Sequence, residues 1–369
     1  MKVMVIGAGL GGLCLAQGLT RAGIEVELYE RDPGITARFQ GYRIGLSEQG
    51  ITALHGCLPP RLHPLLDAVQ GDLAGERRFL DPLLAPVREM PPLRATAVDR
   101  HVLRHLLLAG LDGRVRTGKQ LIGYDVLADG RVRACFADGT AATGDVLVGA
   151  DGVGSAVRAV LAPEVVPIDT GCRAVIGRTP LTERFAALVP GFGTGIEGET
   201  GLLMLGLMKF RVPPAEAAAR LAPEVALPDV RDYVRWVMML PPSHTGEGAV
   251  DTVLDLMDGW HPDLRALVAA ADPDNSALIE IRVVKPSGRW ARGPVTLLGD
   301  AIHATSPSGG NGANTALYDA DLVRRKLIDV AEGRASLLTA LDDYETRMFE
   351  YGSQAVEYSL AALKQFQPA

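Results

Sequence analysis

Residues 1–32 read MKVMVIGAGLGGLCLAQGLTRAGIEVELYERD, and this stretch decides the fold. An apolar run at residues 3–6 leads into Gly7, Gly9 and Gly12, which complete a G-x-G-x-x-G. A helix-length segment follows, and then a second apolar strand that ends beside an acidic residue, Glu30. Because strand, tight turn, helix and strand follow one another so closely, the stretch predicts a dinucleotide-binding unit rather than a chance group of glycines.

Each glycine of this motif has a separate predicted task. Gly7 allows the tight turn, Gly9 lets a pyrophosphate approach the backbone, and Gly12 lets the helix pack closely on the strand. The helix N-terminus offers N–H groups and a partial positive charge to the phosphates. Glu30 can accept hydrogen bonds from a ribose diol and disfavours a 2′-phosphate, so the site suits FAD or NAD rather than NADP.

Composition limits the class of protein. The 369 residues are enough for two domains, or for one domain with a large insertion. A net charge of −7 and the lack of any basic block argue against nucleic acid as a partner. Four scattered cysteines and seven scattered histidines predict no disulfide framework and no metal site. No apolar run reaches the length of a membrane span, so the expectation is a soluble cytoplasmic protein.

Two later apolar strands also end in a glycine and an aspartate. Residues 146–148 run into a turn that carries Asp151, and residues 295–298 run into Asp300 and a glycine-rich loop before a helix from about residue 313. Fully apolar strands belong to parallel sheets, and ligands bind beyond their carboxyl ends. We therefore expect Asp151 and Asp300 to face the ligand held at residues 7–12, although each taken alone could be a helix cap.

The rest of the chain shows a change of pattern. We predict a helix at 99–111, strands at 120–127, 131–137 and 141–148 joined by Asp-Gly turns, and an irregular region at 58–93. Between 172 and 284 we predict an α+β insertion with strands at 173–179, 202–211 and 276–284 and helices at 214–222, 229–239, 247–258 and 262–271. A final helical region spans 335–366, and a second G-x-G-x-x-G at 193–198 reads as a loop or hairpin because no apolar strand precedes it.

Three motifs in this order resemble the single-component FAD-dependent monooxygenases of the aromatic hydroxylase type. They are GAGLGG with Glu30, GADGVGSAVR at 149–158, and LLGDAIHATSPSGGNGANTALYDA at 297–320. The third is the most specific, although this chain has GGNGAN where many relatives have GGQGLN. The resemblance implies an α/β fold like that of para-hydroxybenzoate hydroxylase, with a Rossmann-like FAD-binding domain, a mixed-sheet α+β substrate domain and a C-terminal helix. We assign residues 1–70, 96–171 and 285–333 to the first, 71–95 and 172–284 to the second, and 334–369 to the last.

The resemblance also implies roles for individual residues. Gly7, Gly9 and Gly12 hold the FAD pyrophosphate, Glu30 binds the adenosine ribose, and Arg43 and Arg100 contact the cofactor. Asp151 lies near the cofactor and is associated with NAD(P)H use, while Asp300 contacts the ribityl or pyrophosphate region. The flavin ring is bordered by Pro307, Gly309, Gly310, Asn311 and Gly312. No protein nucleophile is expected, and His303 is interpreted as a packing or loop residue rather than a base.

The implied reaction uses NADPH or NADH as a transient reductant of bound FAD. O₂ then forms a flavin hydroperoxide, which hydroxylates or epoxidises a mainly apolar, aromatic or polyketide-like small molecule. One face of the strand at 202–211 carries Leu202, Met204, Gly206 and Met208, which suits either a pocket wall or a core strand. Two alternatives stay open, a flavin-dependent reductase or dehydrogenase of an isoprenoid-like substrate and a non-catalytic flavin carrier. A halogenase is disfavoured because the tryptophans stand apart, and the protein is expected to be a monomer or homodimer.

Overall fold

The structure is a computed structural model that describes residues 1–34, 41–241 and 249–364. Its strands are β1 (Lys2–Ile6), β2 (Glu25–Tyr29), β3 (Arg43–Leu46), β4 (Gly71–Leu80), β5 (Pro86–Asp99), β6 (Val115–Arg116), β7 (Leu121–Val126), β8 (Val132–Phe136), β9 (Ala141–Gly144), β10 (Val146–Gly149), β11 (Ile168–Pro180), β12 (Gly193–Gly198), β13 (Gly201–Met208), β14 (Tyr233–Leu240), β15 (Ala277–Val283) and β16 (Val295–Leu297). Its helices are α1 (Leu10–Arg21), α2 (Glu48–Cys57), α3 (His63–Ala68), α4 (Arg100–Leu108), α5 (Ala156–Leu161), α6 (Glu183–Ala186), α7 (Pro214–Leu221), α8 (Ala249–Leu256), α9 (Pro262–Ala269), α10 (Asp300–His303), α11 (Gly312–Ala331) and α12 (Leu337–Lys364).

A five-stranded sheet in the order β16-β10-β1-β2-β6 forms the predicted nucleotide-binding part of the molecule, and every pairing in it is parallel. The strands β1, β10 and β16 are almost fully buried, as their uninterrupted apolar sequences predict. Helix α1 packs against α2, α4 and α11 beside this sheet. The predicted Rossmann-like arrangement is confirmed, with the strands preceding Gly7, Asp151 and Asp300 lying side by side.

A larger mixed sheet has the order β15-β11-β14-β13-β12-β4-β5-β3. One face is covered by the helices α8 and α9, in a cluster that includes Trp236, Leu203 and Leu264. The opposite face carries a second apolar cluster that includes Phe79, Val237 and Met239. Because strands β13 and β14 are buried on both sides, their side chains alternate between two different apolar environments.

The predicted Asp-Gly turns are confirmed in a small three-stranded antiparallel sheet made of β7, β8 and β9. Gly130 and Gly139 have φ angles of 83° and 81°, which the turns require. The strand predicted at 141–148 is two strands that belong to different sheets, because the chain turns at Asp145. The second G-x-G-x-x-G motif at 193–198 is strand β12. It forms a hairpin with β13, which is one of the two structures predicted for it.

Two predictions of local structure were wrong. The segment 229–239 was predicted to be a helix but contains most of strand β14, which pairs with β11 and β13. The region 58–93 was predicted to be irregular but contains α3, β4 and most of β5, and β4 and β5 form a long two-stranded ribbon. The prolines at 91 and 92 fit in β5 because its other neighbour, β3, covers residues 96–99 alone, so this part of the strand has a free edge.

The long final helix α12 lies where a helical region was predicted at 335–366, although residues 365 and 366 fall outside the described ranges. The predicted boundaries between domains differ from the sheets in detail. Strand β3 lies within residues 1–70 but joins the large sheet, β5 continues to Asp99, and β11 begins at Ile168. Among helices in the described ranges, none combines the length and the apolar character that crossing a membrane requires.

Candidate cofactor and substrate site

The carboxyl ends of β1, β10 and β16 meet at one edge of the parallel sheet. Gly7 has a φ of 105°, and a Cβ there would overlap the carbonyl oxygen of Ala150. A Cβ on Gly12 would overlap the carbonyl oxygen of Gly7 in the same turn. The observed turn therefore needs glycine at both positions for reasons internal to the protein. Gly9 is different, since no protein atom lies within 4 Å of the place where its Cβ would stand.

A cavity of about 1820 Å³ extends from this edge to the face of the large sheet. Most of the predicted cofactor residues line it, namely Gly9, Gly12, Arg43, Arg100, Asp300, Pro307, Gly309, Gly310, Asn311 and Gly312. Three predicted residues, Gly7, Glu30 and Asp151, are not among the lining residues. The predicted residues that line the cavity thus come from five separate segments of the chain, and the three exceptions have partners within the protein.

Glu30 is buried and tied to the glycine turn. Its Oε2 accepts a hydrogen bond of 2.9 Å from the backbone N–H of Ala8, and its Oε1 accepts one of 3.0 Å from Asp32. Arg104, which is 2% exposed, donates to the carbonyl oxygen of Ala8 at 2.8 Å and forms an ion pair with Glu30 at 3.3 Å. Sequence reasoning missed Arg104. Its spacing from Arg100 by one helical turn was the available signal, because that spacing puts both arginines on one side of α4.

Asp151 acts in this structure as a cap for helix α5. Its carboxylate accepts hydrogen bonds from the Ser155 hydroxyl and from the backbone N–H groups of Ala156 and Val157, at 2.5, 2.7 and 3.3 Å. These contacts correspond to the simpler reading of an aspartate at a strand end. The role of Asp151 near the cofactor stays a prediction.

Asp300 opens into the cavity from a tightly supported turn. Gly299, with a φ of 61°, precedes it and donates its N–H to Asp319 at 2.7 Å. Burial raises the pKa of Asp300, and Arg100 partly opposes the rise. The cause is the protein packed around the carboxyl group, because the residue itself is exposed to the open cavity.

A buried polar cluster lies behind this turn. Asp319 accepts hydrogen bonds from Gly299, from His303 Nε2 at 2.7 Å and from the hydroxyl of Tyr351 in α12. Burial alone would lower the pKa of His303, but the adjacent Asp319 outweighs it and raises the pKa. His303 is fully buried and does not reach the cavity, which agrees with its interpretation as a packing residue.

The glycine-rich loop before α11 packs against protein on one side and lines the cavity on the other. A Cβ on Gly309 would stand 2.9 Å from Cβ of Ser359 in α12, and a Cβ on Gly312 would stand 2.8 Å from Oγ1 of Thr305. Gly310 has a φ of 66° and no protein atom within 4 Å of its Cβ position. Substitutions at 309 or 312 would therefore alter protein packing as well as any contact with a flavin ring.

Asn314 was also missed, although it belongs to the GGNGAN motif. Its side chain donates to the carbonyl oxygen of Gly45 at 2.9 Å and accepts from the N–H of Ser47 at 2.9 Å. These two hydrogen bonds attach helix α11 to strand β3, which carries Arg43. The last residue of the motif thus has a structural task that links two segments of the site.

Two arginines lie together deep in the cavity. Arg43 Nη1 donates to the carbonyl oxygen of Leu207 at 3.0 Å, and its Cζ would be 2.9 Å from a Cβ on Gly206. Gly206 is the register partner of Arg235 on the neighbouring strand, so the two guanidinium groups are adjacent. Burial lowers the pKa of Arg43, and the positive charge of Arg235 lowers it further. The Nε atoms of both residues are buried without a hydrogen-bond partner, so the pair is ready to receive an anionic group.

The large sheet supplies an apolar wall to the same cavity. Phe79, Met90, Ile176, Met204 and Ile279 line it. The predicted alternation along β13 is observed, since Leu202 and Met204 pack in the cluster on the cavity side while Leu203 and Leu205 pack in the cluster beneath the helices. The strand is both a pocket wall and a core strand, because Met204 lines the cavity and Leu202 is buried in the core.

The residues present fit an FAD molecule. No other segment of the described protein approaches the Cβ position of Gly9, the backbone there begins helix α1, and the buried Nε atoms of Arg43 and Arg235 lack hydrogen-bond partners. The lining of the cavity also extends from the glycine turn to the apolar wall. These features define a flavoprotein in which a dinucleotide site and a substrate sheet share one cavity.

Comparisons with known proteins agree with this description. The chain matches a family model described as an FAD binding domain over residues 255–359 and one described as an NAD(P)-binding Rossmann-like domain over residues 5–66. It is 31% identical over 363 residues to the FAD-dependent urate hydroxylase of Klebsiella pneumoniae subsp. pneumoniae, covering 94% of this chain and 85% of that protein. A solved structure assigned as an FAD-containing monooxygenase of Photorhabdus luminescens subsp. laumondii TTO1 has a TM-score of 0.85 and 32% identity, covering 99% of this chain and 98% of that one.

The chain belongs to the FAD-dependent monooxygenase family. It is also 31% identical over 392 residues to the dual O-methyltransferase/FAD-dependent monooxygenase CTB3 of Cercospora beticola, covering 94% of this chain and 44% of that protein. The chain spans less than half the length of the first curated relatives that it matches.

Proposed function

We propose that this protein is an FAD-dependent monooxygenase that uses NADPH or NADH and O₂ to hydroxylate or epoxidise a small molecule. The substrate is mainly apolar and is aromatic or polyketide-like. The single observation that carries the proposal is the shared cavity, in which a phosphate-binding turn, the Asp300 turn and an apolar sheet face line one space. A protein that merely stored flavin would have no need of a second, apolar wall beside the cofactor site.

Bound FAD supplies the reduction of O₂ and the transfer of one oxygen atom, which no side chain in the site can perform. The chain's own residues bind and orient the cofactor. Gly9 and the N-terminus of α1 receive the pyrophosphate, and Asp300 receives the ribityl hydroxyls. We assign the flavin ring to the segment from Pro307 to Gly312 and to the N-terminus of α11.

The site also needs positive charge where the reduced cofactor is negative. Arg43, Arg235 and the backbone N–H groups at the start of α11 supply it without moving, because packing already holds them. The apolar wall holds the substrate and, together with Ala362 of α12, keeps water from the reacting atoms.

The test begins with the absorbance spectrum of the purified protein, which reports bound flavin. Oxidation of NADPH and NADH is then followed with a panel of phenols and aromatic polyketides, with oxygen uptake measured in parallel. We expect substrate-dependent oxygen uptake and a product heavier by one oxygen atom in mass spectrometry. A product lighter by two hydrogens, without oxygen uptake, would instead identify a dehydrogenase, and flavin binding without any turnover would identify a carrier.

The last part of the proposal concerns the cellular location, the partners and the oligomeric state of the protein. All four cysteines are free, which suits a reducing compartment such as the cytoplasm. The partners are then the small-molecule substrate, O₂ and the nicotinamide reductant, acting on a monomer or homodimer. Gel filtration with light scattering measures the oligomeric state directly.

A further inference from the structure

The cavity has a charge opposite to that of the whole chain. The chain carries a net charge of −7, but the described residues that line the cavity include seven arginines and three carboxylates. The arginines are Arg43, Arg77, Arg78, Arg88, Arg94, Arg100 and Arg235, and the carboxylates are Glu48, Asp72 and Asp300. A cleft with this balance attracts anionic ligands against the repulsion of the rest of the surface.

Most of these arginines are fixed by the protein or lie deep in the cavity. Arg78 donates to the carbonyl oxygens of Ala187 and Leu188, and Arg88 pairs with Glu197 at 2.6 Å while lying over the ring of Phe79. Arg43 and Arg235 are the deep pair already described, and Arg100 acts on Asp300. Their positions suit a resident cofactor or the stability of the sheet.

Arg77 and Arg94 differ from the others. They lie on the ribbon of β4 and β5, where Arg94 is exposed and Arg77 partly exposed. Arg77 makes one long hydrogen bond, 3.4 Å from Nε to the carbonyl oxygen of Pro91. Within the described ranges of the chain, neither guanidinium has a carboxylate within 4.0 Å. Both charges are therefore available to a ligand that enters from solvent.

The register of the ribbon places the two arginines on one path into the cavity. Arg94 is the partner of Ala74, and Arg77 is the partner of Met90 farther along the same ribbon. Three residues on β4 and four on β5 separate the two levels, which corresponds to roughly 10–13 Å along a strand. Arg94 lies toward β3 and the cofactor site, while Arg77 lies beside Phe79 and Met90 of the apolar wall.

We propose that Arg77 and Arg94 form the docking site for the diphosphate of the nicotinamide dinucleotide that reduces the bound FAD. The proposal rests on the proposed function. The resident cofactor occupies the dinucleotide turn, so the reductant needs a separate site that it can leave quickly. Arginines that are at least partly exposed and have no carboxylate partner bind phosphate through paired hydrogen bonds and release it readily in the presence of salt. Two such groups at the entrance suit a ligand that carries two phosphates.

Equilibrium binding to the FAD-loaded protein tests this site without relying on catalysis. The probe is ADP-ribose, which has the diphosphate of the reductant but no reactive nicotinamide, and calorimetry measures its affinity. We expect the double variant Arg77→Gln/Arg94→Gln to bind it about tenfold more weakly, which is the loss of one good charged hydrogen-bond pair. The variant Arg131→Gln is the matched control, because Arg131 is exposed, pairs with Asp129 and lies in the small sheet away from the cavity.

Two further measurements separate the possible ligands. Arg77→Lys/Arg94→Lys keeps both charges and should recover part of the affinity, while the FAD content of every variant should equal that of the wild type. Benzoate serves as a probe of substrate-like carboxylates. Loss of benzoate binding with ADP-ribose binding intact would overturn the proposal and assign the arginines to the substrate, and unchanged binding of both probes would also overturn it.

The failure of this site and the failure of the proposed function give different results. If the wild type oxidises neither NADPH nor NADH with any substrate, the activity is refuted whatever ADP-ribose does. If the wild type turns over normally and the double variant keeps its KM for both reductants at low salt, the activity stands and the docking site is refuted.

Discussion

A methyl group added at position 9 can separate an effect on ligand binding from an effect on folding. The backbone there is extended, with φ −72° and ψ 179°, and a Cβ would contact no protein atom within 4 Å. Gly9→Ala should therefore leave folding unchanged and weaken FAD binding at least about tenfold, because the added methyl group stands where the pyrophosphate approaches. Fluorescence titration of the apoprotein with FAD measures the affinity, and thermal unfolding of the apoprotein checks the fold.

Gly123→Ala provides the control for that substitution. Gly123 also has no atom within 4 Å of its Cβ position, but it lies in β7 of the small sheet. Equal FAD affinity in the two variants would mean that the pyrophosphate does not approach residue 9. The larger replacement Gly9→Val should abolish binding altogether, and a yellow, stoichiometric Gly9→Val protein would refute the assignment.

Sequence could predict the glycines of the site better than its charged residues. Gly7, Gly9 and Gly12 follow from backbone geometry that any dinucleotide turn shares. The partners of Glu30 and Arg43 do not, because Arg104 is distant in sequence from Glu30 and Arg235 is distant from Arg43. Which charges face each other depends on how the sheets pack, and no spacing in the chain records it.

Asp319 shows how one side chain can hold three elements in place. It joins the turn before Asp300, the helix α10 through His303 and the helix α12 through Tyr351. Asp319→Asn should lower the free energy of unfolding by about 3 kcal/mol, because the amide cannot accept from all three donors and leaves buried polar groups without a partner. FAD affinity should fall with it, since the Asp300 turn loses its support.

Asp329→Asn is the control within the same helix. Asp329 is partly exposed and pairs with Arg334, so its loss should cost less than about 1 kcal/mol. Urea unfolding of both apoproteins gives the two energies, and FAD titration gives the affinities. A variant at position 319 that unfolds like the wild type would show that the cluster around Asp319 contributes little to the turn.

The elements that sequence failed to predict share a physical cause. Strand β14 is buried on both faces, so its apolar residues show neither the alternation of a surface strand nor a clear helical period. The ribbon of β4 and β5 was not predicted because prolines in a sequence argue against a strand, although an edge position tolerates them. The parallel strands were easier, because each ends in a glycine turn that marks both its end and its direction.

The stability of the whole molecule should depend on pH through Glu345. This residue of α12 is 8% exposed, and burial raises its pKa to about 7. Thr296 and Trp290 oppose the rise only weakly, since both lie outside hydrogen-bonding geometry. The folded state therefore holds this proton more tightly than the unfolded state does. Its contribution to stability is complete below about pH 4.5 and is lost as the pH rises to about 7.

Glu345→Gln removes this titration. We expect the variant to match the wild type near pH 4.5 and to become more stable than the wild type by about 3 kcal/mol at pH 8. Glu350→Gln, an exposed change in the same helix, should show no such trend. Unfolding by urea across this pH range measures both, and a constant difference at all pH values would mean that the pKa of Glu345 is the same in the folded and unfolded states.

The contact between Gly309 and Ser359 has a consequence for the synthesis of the protein. Within this chain the predicted phosphate-binding turn leaves the ribosome before the Asp300 turn, the loop at 307–310 and the helix that packs against this loop. Strand β1 pairs with β10, and β10 pairs with β16, so this part of the sheet is complete only after β16 has been synthesised. The pocket for the vitamin-derived cofactor is consequently incomplete until the chain has been synthesised as far as α12, so a shorter nascent chain lacks part of the lining.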